Sequence, residues 1–174
     1  MDERQTVAVW FDEYGNDIYH FLIYRVGPHE AEDLLQEVFI KALKRFHSYQ
    51  KKSGPKTWLF SVARNVAIDE IRRQKARKWK DHIPLEKTKE PETNQSPQSI
   101  FAEKEEYRII YQAIRTLKAN YQDVLILRGI KELSINETAD ILKWSENKVR
   151  LTQHRARIAL NNTLRGWDTH DKAK

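Results

Sequence analysis

Residues 134–157, SINETADILKWSENKVRLTQHRAR, decide the fold. Ser134 can cap a helix start, and Glu137, three positions on, completes a capping box with it. Ala139 is the small residue needed where two helices cross closely, and Leu142 closes the first helix. Trp144 fills the turn with apolar bulk, and Ser145 can cap a second helix in which Val149 points inward. The other faces of that helix carry Asn147, Lys148, Arg150, Gln153, His154, Arg155 and Arg157. Side chains of this kind reach base edges and phosphates in a major groove, so the pattern is that of a helix-turn-helix expected to touch duplex DNA. Two amphipathic helices with a solvated basic face would give a similar pattern without a ligand. The turn also lacks the Gly usual for a left-handed backbone: Lys143 must adopt that conformation, at about 1 kcal/mol.

Outward from this motif, the 174 residues hold five Gly, five Pro and no Cys. Leu, Ile, Ala, Lys and Glu recur at helical spacing, which predicts an all-α chain of one large or two small domains. The absence of Cys excludes disulfides and thiolate zinc sites. A basic region followed by an apolar run is missing at the start, and no stretch approaches the roughly 18 apolar residues of a membrane span. A cytoplasmic protein is the expectation. The net charge of +6 is unevenly spread. Residues 1–80 carry 15 Lys/Arg against 11 Asp/Glu, residues 81–106 carry 3 against 7, and residues 107–174 carry 13 against 7. Two basic lobes around an acidic connector suggest two polyanion contacts on one chain.

Periodicity predicts a first helix over about Thr6–Arg25, with Val7, Trp10, Phe11, Tyr14, Ile18, Phe21 and Leu22 on one stripe. Gly27 and Pro28 separate it from a second, over about His29–Phe46, which turns Leu34, Leu35, Val38, Ala42 and Phe46 to the core. SYQKKSGPK (48–56) is a basic loop. Thr57 is the expected cap of a third helix whose tail, Ile71 to Lys80, holds six cations and no acid. From about Asp81 to Ser99 the apolar period gives way to linker composition. Order is expected again near Ile100, with Asn120 capping a further helix and the last helix ending near Arg165.

The outer face of the second helix (Asp33, Gln36, Glu37, Ile40, Lys41, Lys44) is explained equally well by solvation and by i,i+4 pairs. In the third helix, Trp58 and Phe60 lie beside Lys51, Lys52 and Lys56, a combination suited to unstacked bases, and Asn65 could pair with a base edge. Trp at a helix start is more often a core anchor, and that is the expectation for Trp58. The tail from Arg72 to Lys80 calls for a polyanion to neutralise it. Enzyme chemistry is thin. The six His show no metal-ligand spacing, there is no Gly-rich phosphate loop or nucleophile elbow, and the pairs Asp69/Glu70 and Glu105/Glu106 diverge on their helices. No catalytic residue, metal, cofactor or small-molecule substrate is expected.

Taken together, AEDLLQEVFIKAL (31–43), TWLFSVARNVAIDEIRR (57–73) and the helix-turn-helix ending TQHRARIAL (152–160) resemble an extracytoplasmic-function sigma factor, the small two-domain branch of the sigma-70 family. The resemblance spans nearly the whole chain. It implies an all-α protein of two small helical domains: region 2 over 1–80, a linker over 81–99, region 4 over 100–168 and a tail over 169–174. It also implies a bacterial transcription initiation factor without catalytic activity of its own. By resemblance, Asp33, Gln36, Glu37, Ile40 and Lys41 become contacts to the clamp helices of core RNA polymerase. Lys51, Lys52, Ser53, Lys56, Arg64, Asn65, Arg72, Arg73 and Lys75 become contacts to the promoter's minus-ten element, with Asn65 near a flipped-out base. Asn147, Lys148, Arg150, Leu151, His154 and Arg155 become minus-thirty-five contacts, and the second domain would sit on the polymerase β flap. The family's usual restraint is an anti-sigma partner, often membrane-anchored. Lys143 in place of the turn Gly, Lys118 where many members have Pro, and His154 at a varying contact position depart from the pattern. The rival expectations are a free-standing helix-turn-helix regulator binding as a dimer and an enzyme acting on nucleic acid.

Overall fold

The computed structural model describes residues 1–81 and 105–171, which fall into two compact units, Met1–Ile100 and Phe101–Lys174. Of the linker expected over 81–99 only Asp81 is described; the rest of it and the restart near Ile100 lie outside the described residues. Among those described, every regular element is helical.

In the first unit, α1 (Glu3–Val26), α2 (Pro28–Lys44) and α3 (Pro55–Lys80) pack pairwise into a three-helix bundle. Helix α1 starts earlier than the apolar stripe predicts because Asp2 caps it: its carboxylate accepts from Gln5 N–H at 2.8 Å, and the Gln5 side chain accepts from Asp2 N–H at 3.0 Å. Gly27, at φ 101, ends α1 in a conformation that a Cβ would strain, and Pro28 begins α2 without needing an N–H partner. Ile18, Phe21, Leu22, Val38, Leu59, Phe60 and Val66 form the sealed centre, and Phe21 meets Phe60 edge-on at 5.7 Å. Phe11 leaves the predicted stripe and stays 44 % exposed.

Two boundaries differ from expectation. Helix α2 stops at Lys44, and Phe46 opens a short 3-10 turn, Phe46–Ser48. Thr57 does not cap α3. The helix begins two residues earlier at Pro55, whose fixed φ suits a first turn, so Thr57 lies buried inside it.

In the second unit, α4 (Glu105–Arg115), α5 (Ala119–Val124), a π-helical turn (Leu125–Ile130), α6 (Ile135–Leu142) and α7 (Glu146–Asp171) enclose Ile114, Val124, Ile126, Leu127, Ile141, Val149 and Ala156. Asn120 is not the cap of α5. Lys118 holds the cap position without a side-chain bond, and Gln122 ties the junction by donating to the carbonyls of Leu117 at 2.8 Å and Arg115 at 3.3 Å. Helix α7 continues six residues past Arg165, because nothing there breaks it: Gly166 costs a helix only about 1 kcal/mol.

Candidate nucleic-acid interfaces

The second unit builds its interface from local rules. Glu137 N–H donates to Ser134 Oγ at 3.0 Å, and Ser134 N–H to the Glu137 carboxylate at 2.7 Å, so the capping box fixes the start of α6. Lys143 takes φ 57 and ψ 43, the left-handed conformation, which lets Trp144 N–H reach back to the Ala139 carbonyl at 3.0 Å. Ser145 Oγ accepts from Lys148 N–H at 3.2 Å and starts α7. Val149 and Ala156 are fully buried, which anchors α7 against the unit and turns Asn147, Lys148, Arg150, Leu151, His154 and Arg155 to solvent.

These outward groups are held loosely. Arg150 pairs with Glu146 at 3.2 Å and donates to Asn147 at 3.5 Å, while the Lys148 ammonium lies over the Trp144 ring at 4.4 Å. Asn136 of α6 also donates to Glu146 at 3.3 Å. One residue of the expected set is not available. Gln153 is buried and accepts from Arg128 Nε at 3.2 Å, because its position follows Val149 and precedes Ala156 on the inward face.

In the first unit, the basic loop is shaped before any ligand arrives. Tyr49 donates to the Ser53 carbonyl at 2.8 Å, Lys51 takes φ 56, and Lys56 pairs with Asp17 of α1 at 3.1 Å. Lys51 and Lys52 remain exposed. Trp58 stacks into a cluster with Tyr49 at 5.1 Å and Trp10 at 6.0 Å, as a core anchor should, and Phe60 is fully buried. The Phe60 ring is therefore not offered to a base, which corrects that part of the sequence reading, while Trp58 stays half-buried in its aromatic cluster.

Helix α3 divides its polar residues between two faces. On one face Glu70, with a side chain only 7 % exposed, accepts from Arg73 Nε at 2.9 Å with one carboxylate oxygen and from Arg77 at 3.0 Å with the other. Glu37 of α2 adds a contact to Arg73 at 3.5 Å and binds Lys41 at 2.9 Å, and Lys41 also reaches Asp69 at 3.9 Å. The hydrogen bond from Lys41, with the Arg73 charge beside it, holds the Glu37 carboxyl below its ordinary value. The bond to Glu70 raises the Arg73 guanidinium above its ordinary one. Arg73 and Arg77 of the basic tail are therefore neutralised from within, and the more exposed Arg72 lies 4.0 Å from Asp69, contrary to the expectation of six cations awaiting a polyanion. Glu70 does not simply diverge from Asp69 into solvent; it is the centre of this clasp. On the opposite face Asn65, Arg72 and Lys75 are exposed, with Arg64 half-buried at its margin. Trp79, which sequence reasoning passed over, is 84 % exposed there. Its spacing of three and four residues from Lys75, Arg72, Ile68 and Asn65 is the signal that could have found it.

The outer face of α2 presents Asp33 and Gln36 exposed and Ile40 53 % exposed, beside the Glu37–Lys41 pair.

Comparison with known proteins accounts for both units. The Sigma-70 region 2 model matches residues 10–77, and the Sigma-70 region 4 model matches residues 107–160. The ECF RNA polymerase sigma factor SigX of Bacillus subtilis is 38 % identical over 155 residues, covering 87 % of this chain and 80 % of SigX. The chain belongs to the extracytoplasmic-function sigma factors. Two further relatives from Bacillus subtilis match as broadly. The RNA polymerase sigma factor YlaC is 32 % identical over 94 % of this chain and 95 % of its own length, and SigM is 34 % identical over 89 % and 93 %. Among solved structures, the sigma factor RpoE of Bartonella quintana, crystallised with the anti-sigma factor NepR, superposes with a TM-score of 0.72 at 23 % identity. It covers 89 % of this chain and 94 % of RpoE. CnrH, solved with the cytosolic domain of CnrY, gives 0.70 at 17 % identity over 94 % and 90 %. Both share the fold. As a sigma factor the chain is a DNA-binding transcription-initiation protein, and none of its described helices is long and apolar enough to cross a membrane.

Proposed function

We propose that this sigma factor docks on core RNA polymerase through the outer face of α2 and delivers the enzyme to a subset of promoters. Asp33, Gln36, Glu37 and Lys41 supply charge and hydrogen bonds to the clamp helices, around Ile40 as the apolar centre. Region 2 is assigned to 1–80, the linker to 81–99, region 4 to 100–168 and the tail to 169–174. In region 2, Asn65 meets a flipped-out base of the minus-ten element, Lys51, Lys52, Ser53, Lys56 and Arg64 frame its pocket, and Arg72, Lys75 and the outer edge of Arg73 follow the strand. Extruding a base costs a few kcal/mol of unstacking, which a framed pocket and nearby cations offset. In region 4, Asn147, Lys148, Arg150, Leu151, His154 and Arg155 read the minus-thirty-five element. The domain rests on the β flap. Two weak contacts on one tether act together through effective concentration.

The observation that carries this proposal is the recognition helix. Its core anchors, Val149 and Ala156, are sealed, while Lys148, Arg150 and Arg155 point outward from the same turns. The chain supplies no catalysis of its own, works in the cytoplasm, and is restrained by an anti-sigma partner, a reading supported by RpoE, of similar fold, having been crystallised with one. The test is transcription of fragmented genomic DNA by purified bacterial core polymerase with and without the protein, mapping the 5′ ends. Discrete new starts sharing two spaced upstream elements are expected. Specific DNA binding by the protein alone, with no new starts, would favour a free-standing regulator and withdraw the docking face of α2.

A further inference from the structure

From the division of α3 into two faces we infer that Trp79 is a stacking residue for an unpaired base of the promoter, at the edge of the melted segment. This rests on the sigma-factor function proposed above. Helix α3 is continuous through Trp79, since Asp81 N–H still donates to the Arg77 carbonyl at 3.1 Å. Positions 65, 68, 72, 75 and 79 are spaced three and four residues apart and so share one face. That stripe carries Asn65, Arg72, Lys75 and Trp79, all exposed, around the half-buried Ile68. Fourteen residues of helix separate Asn65 from Trp79, about 21 Å of axis.

The opposite face cannot be the DNA face to the same degree, because Arg73 and Arg77 are already held by Glu70 and Glu37. Cations near a helix C-terminus are ordinary, favoured by the helix dipole. A tryptophan 84 % exposed among them is not ordinary. Its ring leaves much of the roughly 150–250 Å² that such a side chain normally buries in contact with water. The chemistry that covers an aromatic face with Lys75 and Arg72 on the same stripe is a nucleotide: the base stacks on the ring while these cations meet the phosphates. Stacking of this kind is indifferent to base identity, so Trp79 adds grip and lifetime rather than promoter choice.

The test uses polymerase assembled with the wild-type protein or with Trp79→Ala, Trp79→Phe or Trp79→Lys, on DNA built from a start site mapped with the wild type. One probe is a duplex that continues as an unpaired non-template strand at the upstream edge of melting; the other is the same duplex cut flush. Trp79→Ala should weaken binding to the forked probe about tenfold, equivalent to about 1.4 kcal/mol, while leaving the flush probe and the free protein's melting temperature unchanged. Trp79→Phe should keep most of the affinity, and Trp79→Lys should not, because an added charge cannot stack. Equal losses on both probes, full affinity with Trp79→Lys, or a lowered melting temperature for Trp79→Ala would each overturn the inference. Discrete starts with the wild type and an indifferent Trp79→Ala overturn it alone. No discrete starts with the wild type overturn the functional proposal on which it rests.

Discussion

Helices α3 and α7 both carry arginines paired with a glutamate one or two turns earlier on the same helix, and they hold them in different ways. On α3, Arg73 and Arg77 share Glu70, whose side chain is almost fully buried. On α7, Arg150 pairs with Glu146, whose side chain is nearly half exposed. An exposed i,i+4 pair contributes only about 0.3–0.5 kcal/mol, so Arg150 can trade its glutamate for a phosphate or a guanine edge at little cost. A buried carboxylate deprived of its partners is costly, so Arg77 is committed to the fold and Arg73 keeps only its outer edge for a ligand. Burial of the acceptor, not the identity or spacing of the cations, separates a structural clasp from a ligand-reading face.

The largest effect that could break this comparison comes from the clasp. Arg73→Ala combined with Arg77→Ala should destabilise the first unit by about 2–4 kcal/mol, below the full value for a buried pair because both guanidiniums are partly solvated. Adding Glu70→Leu should recover most of it; urea unfolding measures both. Next, Arg150→Ala should weaken promoter binding through the upstream element by about 1–3 kcal/mol if the side chain reads a base, while changing folding stability by less than about 0.5 kcal/mol. An equal loss of folding stability would mean that Arg150 is structural after all. Smaller again, Lys143→Gly should stabilise the second unit by about 1 kcal/mol, since Gly relieves the left-handed backbone at no steric cost. Thermal unfolding that shows no gain would mean the turn is not strained.

The smallest effect is one of pH. The Glu37 carboxyl is held below the usual 4.5 by the Lys41 hydrogen bond and the Arg73 charge. Its folded value is depressed, so the stabilisation is complete above the unfolded value and fades as pH falls through the folded one. The stability difference between wild type and Glu37→Gln should therefore be largest at neutral pH and vanish in strong acid.

What the sequence revealed follows from range. The helix-turn-helix was legible down to the Ser134 and Ser145 caps and the strained Lys143, because caps and turns are decided within four residues. The inward placement of Gln153 was missed, since polarity suggested solvent while its register between Val149 and Ala156 put it inside. Thr57 and Asn120 were misplaced as caps because a nearby Pro and a tertiary glutamine bond set those helix starts instead. The clasp could not be read at all. Glu70, Arg73 and Arg77 are visible as neighbours, but only the packing of α2 on α3 buries the carboxylate and brings in Glu37 from 36 residues away. The same packing turns Trp79 outward and makes the face opposite the clasp the open one.

The most direct test of this division is the salt dependence of promoter binding by polymerase carrying the protein. Replacing the open-face pair, Arg72→Ala with Lys75→Ala, should reduce the slope of log K against log salt by about 1.4–1.8, as two lost phosphate contacts require. Neutralising the clasp with Glu70→Gln, Arg73→Gln and Arg77→Gln together should reduce it by no more than about 0.5. A clasp variant that lowers the slope as much as the open-face variant would contradict the division of α3 into a structural face and a DNA face.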